Sequence, residues 1–516
     1  MLPQARSEAR TNMLQEIAIQ VNGESDGKFN SGDFILFYGE GPDKYFYDAQ
    51  RQIFNYENNL YDDKNFYFLT VSEQAGKRIA NQENLSGDFT LVTSFNDFIY
   101  HELDNHNELN SGRQWFGEQF DISTTLELTF EKSGIIDGSE VKIVSGVMGQ
   151  TFNPASFNLT VNGNQAINQP IPTILNTQYG VKGRTVVDTV TVLANNLGMQ
   201  GSNTQRFRYQ YTKGSSGRSI GYLDFLLVNI VRGLSLYGDQ TIFTSGESLN
   251  NPTSRFEVNG VNQNVLIWDV TDPFTCLNQV YQLNSSKAIF STPTNSLKQF
   301  IVFDASKSKT PVYEKEIANQ NLFGKSSSFL IVTNSDFLAE AQRLANHRES
   351  KNGISTLVVT TEEIFNDFSG GKQDPTAIRD FAEQLYSRGL KNLLLFGRSS
   401  YDYKNRVNKN TNLVPTYESR NSLSPLETYS SDDYFGFLEI DEGEWSESPA
   451  ISHTLDIGVG RLPVKSREEA ANIVDKLIAY DNNPKAMGFW RKEILFVADD
   501  GDFNLHQSDA DKMAQK

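Results

Sequence analysis

From Phe329 to Gly397 the chain carries a pattern that a layered α/β fold accommodates and few others do. Phe329-Leu330-Ile331-Val332 is a continuous apolar run, as a strand covered on both faces requires. Ser335 stands where a helix N-cap is expected, and Leu338, Ala341, Leu344 and Ala345 then recur on one helical face. Leu357-Val358-Val359 predicts a second buried strand. Asp374-Pro375 predicts the start of another helix, a capping carboxylate followed by the residue whose missing N–H costs nothing at that position. Ile378, Phe381, Ala382 and Leu385 form its apolar stripe, and Gly389 supplies the left-handed cap. Leu393 to Phe396 is the third strand. Alternation of this length winds right-handed onto a parallel sheet, and chemistry gathers at the carboxyl ends of such strands.

After the third strand, residues 401–452 form a long, turn-rich, acidic insertion. Loops of that length inside a compact α/β domain are usually functional. A strand is expected over His453 to Val459, then a helix opened by a Ser466/Glu469 capping box, with Ile473, Val474, Leu477 and Ile478 on its inner face. Ile494 to Val497 predicts a further strand. Gln507 to Lys516 begins a helix without a stop signal, so the α/β domain, 329–516, reads as incomplete.

Upstream the period changes from helical to strict alternation. Leu126, Leu128 and Phe130 alternate with Thr125, Glu127 and Thr129; Phe157, Leu159 and Val161 alternate with polar residues up to Asn162-Gly163, a hairpin signal. Further strands are expected over 206–211, 222–228, 265–270 and 300–303. Residues 111–305 therefore read as an antiparallel β-sandwich. Residues 1–110 read as a smaller β-rich module with its clearest strand at Asp33 to Gly39, and its aromatic cluster (Tyr45, Phe46, Tyr47, Phe66, Tyr67, Phe68) as core. Residues 306–328, with Ser306-Lys307-Ser308-Lys309-Thr310-Pro311, read as a linker.

The formal net charge of −18 disfavours nucleic acid as a partner, and no local basic patch offsets it. No apolar run approaches the ~18 residues of a membrane span, and Met1 to Arg6 leads into polar sequence rather than a signal peptide. Cys276 is the single cysteine, which excludes an intrachain disulfide and a thiolate-cluster metal site; in its β-rich setting it reads as a structural thiol. His101, His106, His347, His453 and His506 show no metal-ligand spacing, so no metal or cofactor is expected. Asp499-Asp500-Gly501-Asp502 reads as an acidic turn, with oxygen ligation of calcium as the alternative. Ser431-Asp432-Asp433-Tyr434-Phe435-Gly436 lies at the functional end of the sheet, either as a solvated turn or as the source of a carboxylate orienting an imidazole.

Several blocks in order resemble the gingipain-type cysteine peptidase domain: Asp374 to Arg379, Leu394 to Gly397 with Ser399 to Lys404, Ser431 to Gly436, and Asp456-Ile457-Gly458-Val459-Gly460-Arg461-Leu462-Pro463. Tyr222-Leu223-Asp224-Phe225, Trp268 to Asp272 and Asn319 to Leu322 are similar to the amino-terminal region of its type IX secretion signal peptidase (sortase) branch. The resemblance implies a caspase-like sheet and a cell-surface, outer-membrane enzyme. It would work among type IX secretion components on protein substrates with carboxy-terminal secretion signals. It also implies Asp432 as the third catalytic member, with Asp433 as fallback. The family's nucleophilic Cys and basic His, the latter in a Gly-His-Gly context, match no position here and would follow Lys516. Where relatives show Gly-Asp-Gly after the third strand, this chain has Gly397-Arg398-Ser399. The alternative reading is a non-catalytic surface adhesion module whose sandwich binds a partner.

Overall fold

A computed structural model describes residues 13–439, 442 and 453–516. The amino-terminal half is two β-sandwiches built on one shared sheet. That sheet runs, in spatial order, Arg184–Leu193, Glu140–Thr151, Ser219–Gly233, Ser94–Glu102, Gln240–Thr244, Gln299–Asp304, Val265–Asp269, Leu277–Gln279 and Ala80–Gln82. A four-stranded sheet (Asn164–Ile171, Ala155–Val161, Thr204–Thr212, Thr125–Glu131) covers one end. Phe157, Leu159, Val161, Phe207 and Tyr209 from the cover meet Ile143, Val147, Leu223, Leu226 and Val228 in a closed core. A second four-stranded sheet (Gln282–Asn284, Lys287–Pro293, Thr253–Asn259, Thr90–Val92) covers the other end through Phe256, Val258 and Phe290 against Phe95, Phe243, Phe300 and Val302.

Period-two alternation produces this directly, because every second side chain of a cover strand faces inward. The hairpin turn falls at Asn162-Gly163, with φ of 48° and 87°. Both central residues are left-handed, as a type I′ turn demands. The boundary expected near residue 110 is crossed by hydrogen bonds, since Ser94–Glu102 pairs with Ser219–Gly233 in mid-sheet. The strand expected over Asp33 to Gly39 shortens to Phe34–Leu36, paired only with Gln20–Asn22. In the aromatic cluster Tyr45 packs on Phe54 and Phe98, whereas Phe46, Tyr67 and Phe68 are exposed, which corrects their expected place in a core.

The α/β part has a four-stranded, all-parallel sheet ordered Thr356–Thr360, Phe329–Thr333, Asn392–Phe396, Gly458–Leu462. Leu330, Val332, Leu393 and Leu395 face helices Thr361–Phe368 and Pro375–Tyr386; Ile331 and Phe396 face helices Leu338–Asn352 and Arg467–Asn482. Asp374 caps as expected, its Oδ1 accepting from the Thr376 N–H at 2.9 Å, and Gly389 adopts φ 100°. Asn334, rather than Ser335, caps the lead-in turn Ser335–Phe337. Helix Thr361–Phe368 is an addition to the expected elements, opened by a Thr360/Glu363 capping box. The strand expected over His453 to Val459 begins later, at Gly458, because Asp456 is spent on loop closure: its N–H donates to the Gly436 carbonyl and its Oδ2 accepts from the Leu438 N–H. Ile494 to Val497 is not a strand; its side chains are 82, 86, 41 and 87% exposed, with no sheet neighbour among the described residues. An apolar run becomes a strand only where an edge receives it. The expected 401–452 insertion lies partly outside the described residues.

The linker region, irregular from 308 to 321, is pinned by Gln320 Nε2 and the Leu322 N–H, both donating to the Asp367 carboxylate at 2.8 Å. The two halves meet where residues 107–115 dock onto the long loop. The Gly112 N–H donates to Glu418 Oε2 at 2.9 Å, the Arg113 N–H to the Ser419 carbonyl at 2.9 Å, and the Lys182 N–H to the Leu423 carbonyl at 2.7 Å. At Gly112, φ is 73° and a Cβ would stand 2.3 Å from the Asn421 carbonyl, so only glycine permits the approach.

Phe157→Ala should destabilise the first sandwich by about 3–5 kcal/mol in denaturant melts, the range for emptying a closed aromatic site. Three apolar cores of the β region draw all their buried side chains from before residue 305, and a small fourth one, Phe116, Met148 and Tyr222, is closed by Leu423. Residues 1–304 alone should therefore melt cooperatively and resist limited proteolysis, while 329–516 alone, with its docked loop uncovered, should bind hydrophobic dye. A sharp melt of the second piece would show that the docked loop needs no sandwich.

Candidate active site

The strand ends at Phe396 and Leu462 point toward the long loop, and the polar site is assembled there. A short antiparallel ladder pairs Tyr417–Glu418 with Ser430–Ser431 and delivers Asp432 to the head of the short turn of helix Asp433–Gly436. That turn is anchored from below. Tyr434 is buried with its hydroxyl 2.9 Å from Thr376 Oγ1, and Arg379, 2% exposed, donates Nε–H to the Phe437 carbonyl at 2.9 Å.

Asp432 meets Arg461, which sits opposite Leu395 in the last paired strand. Arg461 Nε donates to Asp432 Oδ2 and Nη2 to Oδ1, both at 2.7 Å. Thr416 Oγ1 also donates to Oδ1 at 2.7 Å. The remaining guanidinium donors go to main chain: Nη1 to the carbonyls of Gly397 at 2.7 Å and Val414 at 2.8 Å, and Nη2 to that of Pro415 at 3.2 Å. Gly397 permits this convergence, because a Cβ there would stand 2.8 Å from Val414 Cγ2. Asp433, the fallback, is exposed, and its N–H donates to Ser431 Oγ at 3.1 Å.

The other candidates lie elsewhere. Cys276 is buried with Tyr38, Trp268 and Ile301 against the face of the shared sheet turned away from the second sandwich's core, and burial pushes its thiol up to about 11. His101 meets Glu118, His106 meets Glu108, His347 meets Asp481, His506 meets Asp499 and His453 meets Glu442, its ring tilted against that of Phe437. Asp499 Oδ1 accepts from the Gly501 N–H and pairs with His506, so the acidic turn opens the last helix. Among the described residues no group of three or more His, Cys, Asp or Glu side chains is disposed to hold a metal ion. Asp224, from one resemblance block, lines a cavity of about 640 Å³ with Glu102, Asp104, Trp115 and the 420–423 loop. Burial pushes Glu102 up to about 8, and burial with the neighbouring Asp104 pushes Asp224 up to about 7. Burial likewise pushes Glu418 up to about 7 although it accepts from Ser430 Oγ and the Gly112 N–H.

Arg461 is a site residue that the sequence pattern alone does not single out, although it lies within the block Asp456 to Pro463. The available signal was an arginine one residue from the end of a strand, where a charge is tolerated only with partners.

Residues 324–516 match the model of the family described as Peptidase family C25. The whole fold is similar to the crystal structure of dimeric latent PorU from Porphyromonas gingivalis, with TM-score 0.77, 23% identity, 98% of this chain covered and 48% of that chain. The chain thus spans about half the length of that protein's chain. These two matches bear out the resemblance and fold class read from the sequence. The CBM36-1 domain of a multidomain xylanase from the hindgut metagenome of Trinervitermes trinervoides matches 26% of this chain and 95% of its own at 10% identity, and its TM-score of 0.15 carries no argument. No curated protein matches the sequence.

Two outcomes are expected from this geometry. Cys276 should resist a thiol-labelling reagent at pH 8 in the native chain and label fully once unfolded, because a buried thiol pushed up to about 11 offers little thiolate. Fast native labelling would contradict that burial. Glu102, Asp224 and Glu418 are raised in the folded state, so the folded chain holds more protons than the unfolded one. Their contribution to stability is present below the ordinary carboxyl range and fades as pH rises through about 7–8. Melting temperature should fall from pH 5 to pH 8, and Asp224→Asn should flatten that slope.

Proposed function

We propose that these residues are the amino-terminal portion of a cysteine endopeptidase of the gingipain type, one that removes carboxy-terminal secretion signals from type IX secretion cargo at the cell surface. The observation that carries the reading is the Peptidase family C25 match over 324–516, the segment in which Arg461 of the last parallel strand holds Asp432 of the long loop. The similarity to latent PorU supports the choice of branch. The nucleophilic thiol and the basic imidazole belong to a part of the protein that these 516 residues do not include. Neither Cys276 nor any described histidine lies among the partners of Asp432.

In the complete enzyme the imidazole takes the thiol proton, and the thiolate adds to the scissile carbonyl carbon. The C–N bond then breaks as the imidazolium hands its proton to the departing amine, leaving a thioester. Water releases the acid from that thioester, or an amine on a cell-surface acceptor takes the acyl group. The part played by this chain is to hold Asp432 as acceptor for the imidazole N–H, with Asp433 as the alternative. The sandwich's part is to fix the loop that carries Asp432, through Gly112, Arg113 and Lys182.

Tested alone, the 516-residue chain should not cleave cargo. In the complete enzyme Asp432→Asn should lower turnover by up to ~10⁴, the cost of losing an orienting carboxylate, with the fold retained. Deleting the gene should leave cargo carrying its carboxy-terminal signal, read by mass spectrometry. Normally trimmed cargo in the deletion strain would reject the function. Normal turnover in Asp432→Asn would move the acid to Asp433 or remove it.

A further inference from the structure

We propose that Arg461 is a positioning residue for this reaction: it locks Asp432 so that one acceptor site, on Oδ2, stays open for the catalytic base. The inference rests on reading Asp432 as the orienting acid. A guanidinium has five N–H donors, and all five of Arg461 are used: two on Asp432 and three on the carbonyls of Gly397, Val414 and Pro415. Those carbonyls belong to the end of the third strand and to the loop that follows, so the fork cannot swing without breaking main-chain bonds. A lysine, with three donors and no plane, could not hold both carboxylate oxygens and the loop at once.

The carboxylate is not saturated in the same way. It has about four lone-pair sites. Oδ1 takes two bonds, from Arg461 Nη2 and Thr416 Oγ1, whereas Oδ2 takes one, from Arg461 Nε. Among the described residues the open position is therefore on Oδ2. The Asp432 side chain is 24% exposed against 11% for Arg461, so the acid, not the cation, is the more accessible member of the pair. A pair that served stability alone would gain by filling that fourth site from within the fold; here it is left free at the carboxyl ends of the strands.

The test uses the complete enzyme and compares Arg461→Gln, Arg461→Lys, Asp432→Asn and the Arg461→Gln/Asp432→Asn double variant. Turnover, KM, the pH dependence of kcat and the melting temperature are measured for each, with kcat scaled to folded enzyme. Arg461→Gln should lower kcat by about 10²-fold, the scale for misplacing a reacting group by an ångström, while KM changes little. Its acid limb should move to higher pH, because the imidazolium then faces a carboxylate no longer offset by the guanidinium. Arg461→Lys should recover the position of the limb better than the rate, and it carries the test if Arg461→Gln does not fold. Added to Asp432→Asn, Arg461→Gln should change kcat by no more than about twofold, since its effect passes through the acid. The inference is overturned if Arg461→Gln, or Arg461→Lys in its place, lowers only the melting temperature and leaves kcat and its pH profile unchanged. Multiplicative rate losses in the double variant would overturn it too. Slow Asp432→Asn with normal Arg461 variants rejects Arg461 alone; normal Asp432→Asn rejects the acid assignment first.

Discussion

Five N–H groups on one guanidinium tie together backbone that the sequence keeps far apart. Arg461 reaches Gly397 at the end of one strand, Val414 and Pro415 in the loop beyond it, and Asp432 at the head of the next turn. Without those bonds the carbonyls at the strand ends would need other donors, and the long loop would lose its hold on the sheet. The pair is partly buried, where charge-assisted hydrogen bonds are worth about 1.5–3 kcal/mol each and unpaired charges are costly. The placement of Asp432 therefore depends on this interaction more than on its own short helical turn.

The sandwich continues that logic outward. The far side of the same loop is held by Gly112, Arg113 and Lys182, and Tyr401 stacks on Trp115 with ring centroids 5.6 Å apart. The sheet shared by the two sandwiches backs this docking surface: Ser94–Glu102 pairs along its whole length with Ser219–Gly233 and, through Asn96 and Thr244, with Gln240–Thr244. The carboxyl groups buried at this junction make its stability dependent on pH, while Asp432 and Arg461 sit beyond it at the strand ends.

Much of this was legible in the residues. Continuous apolar runs at 329–332, 357–359 and 393–396 gave three of the four parallel strands, and Asp374-Pro375 and Gly389 gave both ends of a helix. Strict alternation from Leu126 onward gave the sandwich class. These signals are local: capping, turn chemistry and side-chain period act within a few residues, so a sequence shows them. The same locality explains the failures. Ile494 to Val497 has the composition of a strand, yet a strand needs a neighbouring edge, and neighbours are not written in the run itself. The sharing of one sheet by two sandwiches needed pairings such as Val228 with Ile99, separated by more than a hundred residues.

The candidate site divides in the same way. The sequence by itself determined that a carboxylate, Asp432, stands in the loop beyond a parallel sheet, and that the lone thiol, Cys276, belongs to the β region. Only the tertiary structure decided that Asp432 is clasped by Arg461, that Oδ2 keeps an open acceptor position, and that Gly397 must be glycine for the loop to close. Those outcomes follow from hydrogen-bond directions and close approaches between segments up to 64 residues apart, which no local pattern encodes.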